Sequence, residues 1–299
     1  MPSITSENAA LAFVKLVSER FLPALVSNLV MAPLVNRDYE ATLQAAGDTV
    51  NVPIPPIMKA NNIAETGTVQ TQNPSLGNAQ IVLTTHAESS FQIPDVTKIL
   101  ATPNLLDMYM QPSVIAMAEA IETDLLNVYA EIPGSVGSTS AAITEATIDS
   151  AESSLFANKV PAALPRYLVT HGTVYSTFRQ ISRFSEERMI GGDGQAIIEG
   201  DIMKLKGFYV LRSQLVPVVS GTYQNLAFTR DAIALTMRKL PDVPPGMGAV
   251  STFIEFGGYG FRIVYSYNPN VLAEQITVDC LYGVGALRPN FAFQVVSNG

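Results

Sequence analysis

A chain of 299 residues with 47% hydrophobic side chains has enough apolar surface to bury a core, and length for one large domain or two of ordinary size. Its 18 Lys and Arg against 26 Asp and Glu leave a formal net charge of -8, which argues against a surface built to grip phosphate backbones and against sequence-specific nucleic-acid binding. Cys280 is the single cysteine, so there is no intrachain disulfide framework, and the residue reads as a small buried apolar side chain in a strand.

The N-terminus lacks the basic region, short apolar run and small-residue cleavage site of a targeting signal, and no stretch reaches the roughly 20 apolar residues of a membrane span. The expectation is a soluble chain that stays where it is made. From Ser6 to Ala32, Val14, Val17, Phe21, Leu25 and Leu29 recur at spacings of three and four, which predicts a helix with one apolar face, kinked or split at Pro23. Because this element precedes any candidate core, its partner must come later in the chain or from another chain.

Next, "GDTVNVPIPP" alternates Val50, Val52 and Ile54 on one face, and "AQIVLTTHAESSFQI", residues 79 to 93, alternates Ile81, Leu83, Thr85 and Ala87. Residues 48 to 58 and 79 to 93 are read as one long two-stranded hairpin. The residues between them are rich in Asn, Gln, Thr and Gly, and a polar loop of that length is uncommon in a compact domain unless it has a role or is disordered. Pro53, Pro55 and Pro56 suit an exposed edge, because each removes a donor that a further strand would need. The expectation is a β-arm that projects from the body and is stabilised by lying on another subunit, since isolated two-stranded hairpins are marginal in water.

After Pro112, the stripe Val114, Ala118, Ile121, Leu125, Val128 and Ile132 predicts an amphipathic helix of about 20 residues, roughly 30 Å long. Pro112 is placed in its first turn, Pro133-Gly134 ends it, and Glu119, Glu122, Asp124, Asn127 and Glu131 are read as its solvated polar face. "GSVGSTSAA" reads as a flexible joint, and "TEATIDSAESSLFAN" as a helix capped by Thr144 or Thr147. A short buried strand, Tyr167 to Thr170, then runs into a helix from about Thr173, which implies a compact α/β subdomain. His171 sits at that junction, but no Ser, Cys or carboxylate motif around it completes a triad. "GGDG" within residues 185 to 200 lacks both the lysine-serine pair of a phosphate loop and the acidic ligand pattern of a calcium loop, so it reads as a surface loop.

The remainder is mostly β. "GFYVLRSQLVP" predicts a strand, "NLAFTRDAIALTMRKLP" two short apolar runs, and "TFIEFGGYGFRIVYSY" with "EQITVDCLYGVGALRP" a hairpin through Asn268-Pro269-Asn270. Gly257, Gly258 and Gly260 are read as permitting a bulge or bend in the first of these strands. "RPNFAFQVV" is apolar to its end, so the C-terminus is expected to be tucked into structure.

These sections, taken in order, resemble the major capsid (coat) proteins of tailed bacteriophages, the Hong Kong 97 fold. The likeness is carried by "YEATLQAAGDTVNVPIPP", by "GDIMKLKGFYVLRSQLVP" (Gly200 to Pro217), by "LAFTRDAIAL" (Leu226 to Leu235) and by "VDCLYGVGALRP" (Val278 to Pro289). The resemblance implies an α+β fold with an N-terminal arm (1–46), an extended β-hairpin loop (47–93), a peripheral domain with the spine helix (94–133 and 251–299) and an α/β axial domain (134–250). It implies a non-enzymatic shell protein without cofactor or metal, self-assembling as hexamers and pentamers into an icosahedral or prolate shell. That shell is assembled in the bacterial host cytoplasm and resides in the virion. Implied partners are a separate scaffolding protein and a portal, with packaged double-stranded DNA contacted non-specifically and no membrane.

The inter-subunit contact candidates are then Phe13, Val14, Val17 and Phe21 on the arm, Pro53, Pro55 and Pro56 on the hairpin, and Lys59, Asn61, Asn62, Glu65, Gln70 and Gln72 at its tip. Some members of the family cross-link lysine to asparagine. Lys59 with Asn61 and Asn62 raises that option, although a solvated surface lysine explains it equally and no buried acidic catalyst is evident. The competing readings are a hydrolase-like enzyme using His171 and another phage structural component, a tail tube or decoration protein.

Overall fold

A computed structural model describes residues 30–39, 49–56, 58–63, 67–69, 71–74, 77–96, 105–181, 204–244, 247–256 and 259–298 of the chain. The predicted arm helix, apart from its last residues, and the glycine-rich stretch at 185 to 200 lie outside them. In chain order the elements begin with strands β1 (Thr49–Ile54), β2 (Gly77–Val82) and β3 (Thr85–Pro94), then helix α1 (Leu105–Asn127) and strand β4 (Ser135–Gly137). Helix α2 (Glu145–Ala157), strand β5 (Arg166–Thr170) and helix α3 (Gly172–Gln180) follow. Strands β6 (Lys204–Leu205), β7 (Phe208–Arg212), β8 (Val218–Val219), β9 (Thr222–Thr229) and β10 (Ile233–Arg238) come next. The order closes with β11 (Ala249–Phe256), β12 (Tyr259–Asn268), β13 (Ala273–Ala286) and β14 (Ala292–Ser297).

The alternation at the start of the chain makes strands as expected, but not one long hairpin. Among the described residues β1 pairs only with β2, antiparallel from Thr49 opposite Val82 to Ile54 opposite Gly77. The chain then leaves that pair at Leu83 and Thr84, and β3 joins a different sheet by pairing antiparallel with β13 over residues 273–282. Alternation fixes which side chains share a face, and Ile81 and Leu83 are indeed both buried. It does not name the partner, and β13, with Ile276, Val278, Cys280 and Tyr282 all buried, is a longer and more apolar partner than β1.

β13 organises the first sheet. It carries β3 over 273–282, β12 over 273–279 and β10 over 281–286, with β11 added outside β12. The expected hairpin through Asn268-Pro269-Asn270 is the β12–β13 pair. The stretch read as one strand with a bulge or bend is two: β11 and β12 pair antiparallel up to Phe256 opposite Tyr259, and Gly257 and Gly258 lie outside the described residues.

Helix α1 packs on this sheet, and Val114, Ala118, Ile121, Leu125, Val128 and Ile132 are all buried in the largest core. It starts well ahead of Pro112, which lies inside the helix and not in its first turn. The upstream run is rich in Leu and Met, strong helix formers that outweigh the one backbone bond a proline removes. A 3-10 turn, Val128–Glu131, ends the rod just before Pro133.

The second sheet runs in the order β4-β14-β9-β5-β7-β6, with β8 on β9. Parallel β5 and β7 are separated in sequence by α3, the α/β arrangement expected there. Its core gathers Ile148, Ala151 and Leu155 of α2, Val174 and Phe178 of α3, and Leu168, Phe208 and Val295 of the sheet. Thr144 caps α2 by accepting from the Thr147 amide (3.4 Å). The segment read as a flexible joint is instead partly strand: β4 pairs parallel with β14, and at Gly137, φ +98°, a Cβ would stand 2.1 Å from the Val296 carbonyl oxygen. The C-terminal run is tucked between β4 and β9, as its apolar sequence implied. The sheets interleave the sequence: β10 contributes to the first and β14 to the second.

Candidate functional site

In β1, Val50 and Val52 point one way while Asn51 and Pro53 point the other and are exposed. The apolar face closes over Ile81 and Leu83 and rests on Ala234 and Leu287 of the body, which makes a small core for the hairpin base. The base also crosses β13 at close range. A Cβ on Gly283 would stand 2.4 Å from the Val82 carbonyl oxygen, so only glycine permits this approach. On the outer face, Asn51 Oδ1 accepts from Asn78 Nδ2 and Gln80 Nε2, both at 3.0 Å.

Among the described residues, β1 and β2 form a sheet of two strands. Pro53, opposite Asn78, offers no N–H, and Pro55 and Pro56 follow the end of β1. Beyond them the described loop residues are exposed apart from half-buried Gln72, including Lys59, Asn61 and Asn62 and the apolar Met58, Ile63 and Val69, the last 75% exposed. The loop is tied across its base: the Lys59 amide donates to Gln72 Oε1 (3.1 Å), and Gln72 Nε2 donates back to the Lys59 carbonyl. Glu65 and Gln70 lie outside the described residues, as do Phe13, Val14, Val17 and Phe21.

A second exposed apolar surface escaped the sequence reading. At one end of the first sheet, Val96 beyond β3, Tyr267 in β12, and Val271 and Leu272 in the β12–β13 turn are all exposed. Leu272 is 62% exposed and holds φ +48°, a conformation that bulky side chains rarely adopt. The Asp95 amide donates to the Leu272 carbonyl (3.1 Å) and Tyr267 OH donates to Asp95 Oδ2 (2.7 Å), which fixes the turn against the end of β3. A sequence signal existed: two adjacent large apolar residues in a hairpin turn, where polar residues or glycine are usual.

The buried carboxylates of Asp279 and Glu122 are both held by hydrogen bonds. Asp279 is buried in β13 and takes Arg262 Nε from β12 at 3.0 Å, a second Arg262 nitrogen, and His86 Nε2 from β3 at 3.0 Å, so one carboxylate ties three neighbouring strands. Asp279 raises the Arg262 guanidinium further above its usual range. Cys280 is buried as read, and burial pushes its thiol up to about 12. Glu122 departs from the expected solvated face: it is 1% exposed, and its Oε1 and Oε2 accept from the Met31 amide at 2.9 and 3.0 Å. Its partner comes from 91 residues upstream, which helix periodicity could not signal. A charge inside the apolar run "ITVDCLYGV" was the available signal for Asp279.

His171 caps α3 itself, with Nδ1 accepting from the Thr173 amide (3.2 Å), its own amide donating to Asn225 Oδ1 (3.0 Å) and its ring stacked on Tyr223. Among the described residues no three His, Cys, Asp or Glu side chains are grouped to hold a metal ion, and no helix is long and apolar enough to cross a membrane.

No family model matches the chain, and no curated protein matches it in sequence. Solved structures do. One from Mycobacterium phage Che8 superposes with a TM-score of 0.70 at 16% identity, over 89% of this chain and 90% of that one. The capsid structure of cyanophage P-SCSP1u gives 0.61 at 17% identity over 84% of each chain. The mature capsid of bacteriophage PhiM1 gives 0.60 at 11% identity, over 85% of this chain and 83% of that one. Across nearly its whole length, the chain has a mixed helix and sheet fold shared with phage capsid structures.

Proposed function

We propose that this chain is a major capsid protein of the Hong Kong 97 kind, a structural subunit that assembles with copies of itself into a closed icosahedral or prolate shell around phage double-stranded DNA. The observation that carries the reading is the fold shared with phage capsid structures over nearly the whole chain. The β1–β2 hairpin supports it: a two-stranded element with a small core at its base and exposed apolar residues at its tip is what a contact between copies requires. In this reading the loop around Lys59, Asn61 and Asn62 meets one neighbour, and the Val96, Tyr267, Val271 and Leu272 surface meets others. Each contact is weak, and their number makes the shell stable.

The sequence divisions carry over as part of this proposal: arm 1–46, hairpin loop 47–93, peripheral 94–133 with 251–299, and axial 134–250. Hexamers and pentamers, a separate scaffolding protein, a portal and assembly in the host cytoplasm belong to it as well. A hydrolase reading is disfavoured by His171, whose Nδ1 is engaged with the backbone of its own helix.

Electron microscopy with sedimentation of the purified protein, alone and with its scaffolding protein, is the test. Closed shells or pentameric and hexameric rings are expected, and a small defined oligomer under both conditions overturns the assignment. Replacing residues 59–74 by a short turn is expected to leave a folded subunit that assembles poorly. Normal shells from that variant would remove the hairpin from the contact set while leaving the fold unaffected.

A further inference from the structure

Residues 30–39 form a strap across the body. Its 3-10 turn, Ala32–Leu34, lies beside α1, and Asn36 pairs in parallel with Ala234 on the outer side of β10, with the Asn36 amide donating to the Ile233 carbonyl (2.9 Å) and the Leu235 amide to the Asn36 carbonyl (3.0 Å). Met31, Ala32 and Val35 are buried, so the strap is part of the core. Where it begins, both oxygens of the buried Glu122 carboxylate receive the Met31 amide.

We propose that Glu122 is a pH-sensitive clamp that sets how firmly this strap is held in place. The inference does not depend on the capsid reading. Its basis is a carboxylate buried, among the described residues, without a cation. Burial disfavours the charge, while backbone N–H groups of Met31, Ala32 and Val30 partly offset that cost, and the balance raises the carboxyl from 4.5 to about 6. Among the described residues, the charged and titratable groups on the surrounding elements have other partners or surroundings. Arg37 lies over the Tyr259 ring, Asp38 pairs with Arg230, Asp124 accepts from Tyr282 OH, His86 binds Asp279, and Glu88 takes the Ser90 hydroxyl. Glu119 is exposed on the same helix, and Cys280 is buried.

With the strap docked, the carboxyl holds its proton more tightly than it does when released into water. Docking is therefore strongest with Glu122 protonated and weakens as pH rises through about 6. Between pH 5 and 7.5 the docking equilibrium is expected to fall roughly eightfold.

Hydrogen exchange of the native protein, corrected for intrinsic rates, reads this at the amides of Met31, Asn36 and Leu235, with the β13 amides reporting global opening. The expected result is strap protection that falls roughly eightfold over that range in the wild type and stays flat in Glu122→Gln, whose amide oxygen can still accept from Met31. A flat wild-type profile, or an unchanged slope in Glu122→Gln, overturns the proposal. Should Glu122→Gln fail to fold, the His86→Asn variant decides: a retained slope supports Glu122, and a lost slope transfers the effect to the His86–Asp279 pair.

Discussion

Two hairpins in this chain have similar sequence patterns and opposite circumstances. In the β12–β13 hairpin, β13 has neighbours along both edges, a carboxylate locks Arg262 and His86 to it, and the side chains beneath belong to the largest core. Among the described residues, the β1–β2 hairpin has a pair of strands and a core of six buried side chains, two of which, Ala234 and Leu287, belong to the body. Alternation of apolar residues is comparable in both. What differs, among the described residues, is the number of neighbours each strand finds.

Reactivity should separate the two most sharply. Cys280 in β13 is buried with its thiol pushed up to about 12, so its alkylation at pH 8 is expected to be on the order of a thousandfold slower than that of an ordinary exposed thiol, and to follow unfolding. A cysteine introduced as Lys59→Cys at the hairpin tip should react at the exposed rate. Comparable rates for both would mean that β13 opens as readily as the tip.

Stability comes next. Phe261→Ala in β12, buried at 2% exposure, should lower global stability by about 3–5 kcal/mol in denaturant titration. Asp279→Ala should lower it by roughly 3 kcal/mol, because a partly buried guanidinium then loses its carboxylate. Full stability in that variant would show that water replaces the carboxylate at little cost.

Changes in the other hairpin should stay local. Val52→Ala is expected to loosen β1 and β2 by about 1–3 kcal/mol, seen as faster hydrogen exchange there while β13 amides keep their protection. Gly283→Ala tests the junction of the two regions. The added methyl meets the Val82 carbonyl, and exchange in β2 should rise by an amount corresponding to about 1–3 kcal/mol. Lys59→Ala should change monomer stability by less than about 0.5 kcal/mol, so any larger effect on assembly would be an effect on contacts.

Much of this was legible beforehand for a physical reason in each case. The α1 stripe was readable because its spacing is a property of the helix itself, and the missing donor at Pro53 of β1 because it is a covalent fact. Thr144 was readable as a cap because its partner lies three residues away. Misreadings occurred where the partner was remote. The strand predicted at 79–93 was divided because β1 and β13 each claim part of it, and Glu122 was assigned to solvent because nothing near it in sequence announces Met31. The run from Thr252 to Tyr267 was read as one strand with a bulge or bend, because glycines serve a bulge and the break between two paired strands alike.

The sequence by itself determined the faces, that is, which residues of α1, β1 and β3 turn inward, the cap at Thr144, and that the C-terminal run is tucked into structure. These follow from local geometry, from the 3.6-residue and two-residue periods and from the absence of a donor in proline. Only the tertiary structure decided which strand lies beside which, that Asp279 ties three of them, and that a carboxylate on the rod helix holds a strap from the beginning of the chain. Those choices compare many remote pairings at once, and their energies belong to no single segment.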